Sequence, residues 1–172
     1  DGKEHEAVGV ETYEFTVEGN SYTVSGLSTE DPKQKDAGSY TNNITGTPVV
    51  TDKEGNVVTS EFEVKTENGS LEIGKAAVTL KSATLSKKYD GNALVNGDTA
   101  LEIESGFAEG EGATYNFTGS QTVVGSSANA FSYELNSNTN IDNYEISKQE
   151  GTLTVTNREA KYEITVKANS AT

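Results

Sequence analysis

The chain has 172 residues, with 27 acidic side chains against 13 basic ones, a net charge of −14, and no cysteine, methionine or tryptophan. That length suits two small β modules better than one large domain. The acidity excludes nucleic-acid binding, which needs clustered Lys and Arg, and the lack of cysteine excludes disulfides, thiolate metal sites and a cysteine nucleophile.

No apolar run approaches the roughly 18 residues of a membrane-spanning helix, so membrane insertion is not expected. Neither a signal peptide nor a wall-sorting tail is recognisable, and the sequence reads as an internal part of a longer secreted protein.

In chain order, residues 13–17, 61–64, 70–73, 144–146 and 152–155 alternate apolar and polar side chains, the period of strands with one buried and one wet face. Gly- and Asn-rich turn signals separate them, at 18–20, 52–56, 67–69, 90–92, 96–98 and 149–151. No window carries a helical stripe, and helix is predicted to be minor.

The two halves repeat each other. Residues 61–73 align without gaps on 143–155 at a constant offset of 82, which matches Phe62 with Tyr144, Val64 with Ile146, Gly69 with Gly151, Leu71 with Leu153 and Ile73 with Val155. Agreement of this kind over an expected hairpin indicates duplication. Upstream, 22–26 aligns with 115–119, 36–38 with 123–125 and 1–3 with 90–92, at offsets that drift and so place insertions in loops. Downstream, Val78-Thr79-Leu80-Lys81 matches Ile164-Thr165-Val166-Lys167. Residues 78–84 are therefore the predicted opening strand of repeat two, 162–168 that of a following repeat, and repeat one is expected to lack its own. The predicted division is 1–74 for repeat one, 75–157 for repeat two and 158–172 for the start of the next. An unfilled edge and an unpaired alternating strand are complementary. The tail is expected either to dock head to tail onto another copy or to extend the last strand beyond Asn157.

The segments Lys88-Tyr89-Asp90-Gly91-Asn92-Ala93-Leu94, 106–113, 118–126 and 150–155 resemble the Ig-like tandem repeats of cell-wall-anchored surface proteins of gut Firmicutes, related to the MBG and "YDG" modules. The resemblance covers nearly all of repeat two. It covers repeat one more loosely, through 1–5, 36–40 and 46–47, where a lengthened 27–35 loop and the 52–56 turn depart from it. The resemblance implies an extracellular β module in tandem array, attached to a Gram-positive cell wall through a part of the parent protein outside this chain. It implies neither a catalytic activity nor one agreed ligand. The expected fold is all-β, two tandem Ig-like antiparallel β-sandwiches, with β-grasp-like modules as the alternative.

Each candidate for chemistry has a plainer reading. His5 is the lone histidine and would need carboxylates brought from elsewhere to hold a metal; it reads as a solvated residue beside a turn. Glu102 with Glu104, and Glu109 with Glu111, have the spacing of paired carboxylates on one strand face, but repeat one has no equivalent pairs and they read as solvated. The oxygen-rich run 136–143 lacks EF-hand spacing and reads as a turn. Lys75, Lys81, Lys87 and Lys88 with Asn157 could form an isopeptide, but Gly74 stands where repeat one would need an Asn. The sequons at Asn43, Asn68 and Asn116 arise easily in so Asn- and Thr-rich a chain. Tyr22, Tyr40, Tyr89, Tyr115, Phe131 and Tyr144 read as core residues. No catalytic, cofactor-binding or metal-binding residue is assigned, and no cofactor is expected. The leading functional expectation is a non-catalytic stalk or spacer. The alternative is an adhesin whose loops bind mucus glycans or a host protein.

Overall fold

A computed structural model describes residues 1–10, 13–159 and 161–171, and every statement of absence below refers to these. The chain divides into two compact units, Asp1–Lys75 and Ala76–Thr172. Both are built of strands, and the helical content is two single turns of 3-10 helix, Thr59–Glu61 and Ile141–Asn143.

Unit one contains β1 (His5–Glu6), β2 (Glu14–Val17), β3 (Asn20–Thr29), β4 (Lys33–Gln34), β5 (Gly38–Asn42), β6 (Ile44–Asp52) and β7 (Gly69–Ile73). They pair antiparallel as β2-β3-β6, β5-β7 and β1-β4. Phe15, Tyr22 and Phe62 pack as a cluster with ring centroids 4.9–5.4 Å apart, and Val50 is fully buried. The 27–35 segment departs from the expected loop. Leu27, Ser28 and Thr29 continue β3 against Gly46, Thr45 and Ile44 beyond a register shift at Gly26, where φ is +80° and a Cβ would lie 2.3 Å from the Thr47 carbonyl oxygen. Glycine lets the strand bend there without ending.

Unit two contains β8 (Ala76–Lys81), β9 (Leu85–Lys88), β10 (Ile103–Ser105), β11 (Ala113–Phe117), β12 (Gly125–Ala128), β13 (Phe131–Leu135), β14 (Tyr144–Gln149) and β15 (Thr152–Thr156). Its sheets are ordered β10-β8-β14, β12-β15-β9 and β11-β13. Two pairings differ from the expected antiparallel sandwich: β8 runs parallel to β14, and β9 parallel to β15. Consequently residues 144–155 are not a hairpin, because β14 and β15 belong to different sheets. Val78 and Leu80 of β8 pack with Phe131 and Tyr144 at the centre of the core, flanked by Phe107, Phe117 and Ile146.

The two units share internal geometry point by point. The 3-10 turns lie 82 residues apart, and each is closed by the backbone N–H of an aromatic residue, Phe62 or Tyr144, with φ/ψ of −126°/146° and −130°/147°. Phe15 meets Phe62 edge-on at 5.3 Å as Phe107 meets Tyr144 at 5.2 Å. Gly38 pairs with Ile73 as Gly125 does with Val155, and His5 pairs with Gln34 as Leu94 does with Gln121. The opening turns match as well: Asp1 Oδ1 accepts from the Lys3 N–H at 3.0 Å and Asp90 Oδ1 from the Asn92 N–H at 2.9 Å. One difference runs through the comparison. Phe62, Leu71 and Ile73 are half-buried, whereas Tyr144, Leu153 and Val155 are buried.

Candidate binding groove in unit one

The burial difference traces to one element. In unit two β8 stands between β10 and β14, and its Val78 and Leu80 are 1% and 0% exposed. In unit one the counterpart of β14 is residues 62–67, which alternate half-buried Phe62 and Val64 with exposed Glu63 and Lys65 but belong to no strand. Beside them is a cavity of about 710 Å³. Val10 and Tyr13 line it from the segment before β2, Val24 and Leu27 from β3, and Val64 and Thr66 from the 62–68 segment. Its lining includes Val64, Thr66 and Gly69, the counterparts of Ile146, Lys148 and Gly151, which in unit two meet β8 and the chain that leaves it.

The route by which β8 leaves the core explains a second contrast. In unit two the chain after β8 crosses close over Gly151, where a Cβ would lie 2.3 Å from the Ala83 carbonyl oxygen and 2.6 Å from that of Ser82. The buried Ser82 hydroxyl donates to the Asn129 carbonyl at 2.7 Å and accepts from the Gly151 N–H at 2.9 Å, while the Asn129 amide donates to the Ala83 carbonyl at 2.9 Å. Every polar atom so engaged is one the burial would otherwise leave unpaired. At the matching Gly69 a Cβ would meet nothing nearer than the Asn42 Cβ at 3.6 Å. Asn42, the counterpart of Asn129, instead accepts from the Asp31 N–H at 2.8 Å. Sequence reasoning reached the groove only as an expected unfilled edge of repeat one and missed this knot, whose one visible trace was the glycine shared at positions 69 and 151.

The residues weighed for chemistry are dispersed among structural roles. His5 lies on β1 with Nε2 3.1 Å from the Asp1 carboxylate, both exposed. Glu102 pairs with Lys81 at 3.3 Å, Glu104 lies on β10 opposite Leu80, Glu109 is exposed in a turn, and Glu111 accepts a hydrogen bond from the Tyr144 hydroxyl. Burial, together with this carboxylate, holds the Tyr144 phenol above its ordinary pKa. In the 136–143 run, the Thr139 hydroxyl accepts from the Gly112 N–H at 2.9 Å, the Asn138 amide donates to the Gly110 carbonyl at 2.8 Å, and Asn140 accepts from the Asp142 N–H at 3.0 Å. These atoms latch two loops together. Lys87 meets Asp90 at 2.8 Å and Lys88 pairs with Glu159. Asn43 and Asn68 hydrogen-bond each other at 3.1 Å. No group of three or more His, Asp or Glu among the described residues could hold a metal ion.

Three aspartates, the exposed Asp90 and the half-buried Asp31 and Asp52, are held below their ordinary pKa of 3.8. Asp52 accepts from the Asn56 side chain and backbone and from the Glu54 N–H, Asp90 from Lys87 and the Asn92 N–H, and Asp31 from the Thr29 hydroxyl and the Gly9 N–H. A carboxyl whose folded pKa is depressed stabilises the fold above its unfolded value, and that contribution is lost as the pH falls through the folded one. Carboxyl NMR titration is therefore expected to place all three midpoints below 3.8. Asn56→Ala should move Asp52 alone back toward that value; a titration of Asp52 unchanged by the substitution would contradict the assignment.

Comparison with protein-family models, with curated proteins and with solved structures returns no match for the chain.

Proposed function

We propose that the chain is a non-catalytic structural segment of a bacterial cell-surface protein, of the Ig-like tandem-repeat kind, in which successive β units space a distal part away from the cell wall. The observation that carries this reading is the duplication of one β unit down to its turn hydrogen bonds and strand register. Duplicated units suit a task in which length matters more than any single site. The acidic surface keeps neighbouring copies apart.

The groove of unit one is the observation that favours the adhesin reading, since a pure spacer has no reason to keep a cleft. Its coincidence with the position of β8 favours a strand over a glycan as its occupant. Chains carrying one, two and four copies of residues 76–157 test the spacer reading by X-ray scattering: the maximum dimension should grow by a constant increment per copy. Collapse to a compact particle would overturn it. Specific binding on mucin and glycan arrays that a variant in 27–35 abolishes would establish the adhesin instead.

A further inference from the structure

We propose that unit two is a load-bearing clamp: tension applied through Lys75 and Asn157 shears its entering strands against its leaving strands, so the unit keeps its length under pull.

The segment that enters the unit and the segment that leaves it lie side by side and run the same way. β8 pairs with β14 from Ala76 and Tyr144 to Lys81 and Gln149, and β9 pairs with β15 from Leu85 and Leu153 to Lys88 and Thr156, both in parallel. The offset is 68 positions in both ladders, and it persists between them, where the Thr84 hydroxyl accepts from the Thr152 N–H at 3.2 Å. Residues 76–88 and 144–156 therefore form one parallel ribbon in constant register, although it passes from one sheet to another. The chain enters this ribbon at Ala76 and leaves it at Thr156, which are its opposite ends. A pull on both ends slides the strands past each other and loads every bond of the two ladders at once. Were the loaded ends together, the same pull would open the pairs one at a time.

Sliding has no easy intermediate. Val78, Leu80, Leu153 and Val155 are all 0–1% exposed, and a slip of one residue would turn these side chains out of the core. At the crossing between the sheets the bonds are buried. The Ser82 N–H donates to the Gln149 carbonyl at 3.1 Å and the Asn129 N–H to the Gly151 carbonyl at 2.8 Å, while the Ser82 hydroxyl links Asn129 to Gly151. Water cannot replace these bonds as they stretch, so their groups must part unpaired. The clamp deepens the spacer reading and rests on it for its purpose, but the force that unit two bears is measured apart from the length of tandem copies.

Single-molecule pulling on the full chain in two geometries tests the proposal. The chain has no cysteine, so handles attach only where one is introduced. Lys75→Cys with Asn157→Cys applies the force along the ribbon, and Lys75→Cys with Asp142→Cys applies it across the end where β8 and β14 both begin. All three positions are exposed, and the two variants should unfold on heating at the same temperature. Along the ribbon, unit two should unfold in one step at a force at least about threefold that of the second geometry at equal pulling speed, because forced unfolding follows the barrier rather than the equilibrium stability. Ser82→Ala should lower the first force and leave the second nearly unchanged, since unzipping begins at Ala76 and Tyr144 and reaches the crossing last. Equal forces in the two geometries, or release of β8 ahead of β15 at low force along the ribbon, would overturn the clamp and leave the spacer reading standing. A high force along the ribbon, with tandem copies that collapse, would uphold the clamp and overturn the spacer reading alone.

Discussion

Gly151→Ala is expected to destabilise unit two by about 3 kcal/mol, the cost of forcing a methyl group into a closed, well-packed position, while Gly69→Ala leaves unit one within about 1 kcal/mol of its starting stability. Position and local strand are the same in the two units, so the substitutions differ only in what lies above the glycine. Over Gly151 the carbonyls of Ser82 and Ala83 come within 2.3–2.6 Å of the added carbon, and backbone atoms cannot swing aside as a side chain could. Relief would have to break the hydrogen bonds linking Ser82, Asn129 and Gly151. Over Gly69 the nearest atom is 3.6 Å away, an ordinary van der Waals distance, and alanine restricts the unfolded chain more than glycine does. Denaturant unfolding followed by hydrogen exchange, which reports each unit by its own amides, checks the pair. Equal losses in the two units would mean that the groove of unit one is closed in solution.

How much of this was legible beforehand follows from where each signal resides. The duplication was readable because Phe62 to Ile73 and Tyr144 to Val155 keep side-chain size, alternation and glycine in step, and those features are local. The all-β architecture followed from the same alternation and from the turn residues around it. Pairing partners were a different matter. Ile146 meets Val78 across most of unit two, and nothing in either segment says that the partner is parallel or distant, so an adjacent strand across the short 149–151 turn looked like a hairpin. The crossing at Gly151 that sends β14 and β15 into different sheets depends on Ser82 and Asn129, whose roles have no periodic signature. Leu27 to Thr29 looked like loop because Gly26 interrupts the alternation, yet a bend at glycine lets β3 resume. The groove was anticipated only indirectly, as a frame argument from the match of 164–167 to 78–81. Its lining residues Val10, Tyr13 and Val24 could not be found, since a cavity is defined by what is not beside them.

Leu80→Ala should produce the largest loss of any single truncation in unit two, about 3–5 kcal/mol, whereas Lys81→Ala, one residue on, should cost under about 1 kcal/mol. Leu80 is fully buried and packs with Phe131 and Tyr144. Shortening it removes apolar surface and leaves a void that the surrounding rings, fixed at 5.2–6.2 Å centroid separations, are poorly placed to fill. Lys81 points its amine at Glu102 across 3.3 Å with both side chains more than a third exposed, so water and salt replace most of what that pair contributes. In unit one the counterparts of Ile146 and Lys148, Val64 and Thr66, line a cavity instead. A unit two that keeps its fold after Leu80→Ala should therefore come to resemble unit one, with faster exchange along β14 and a cavity beside Ile146. If the measured cost stays below about 1 kcal/mol, β8 does not anchor the core of unit two.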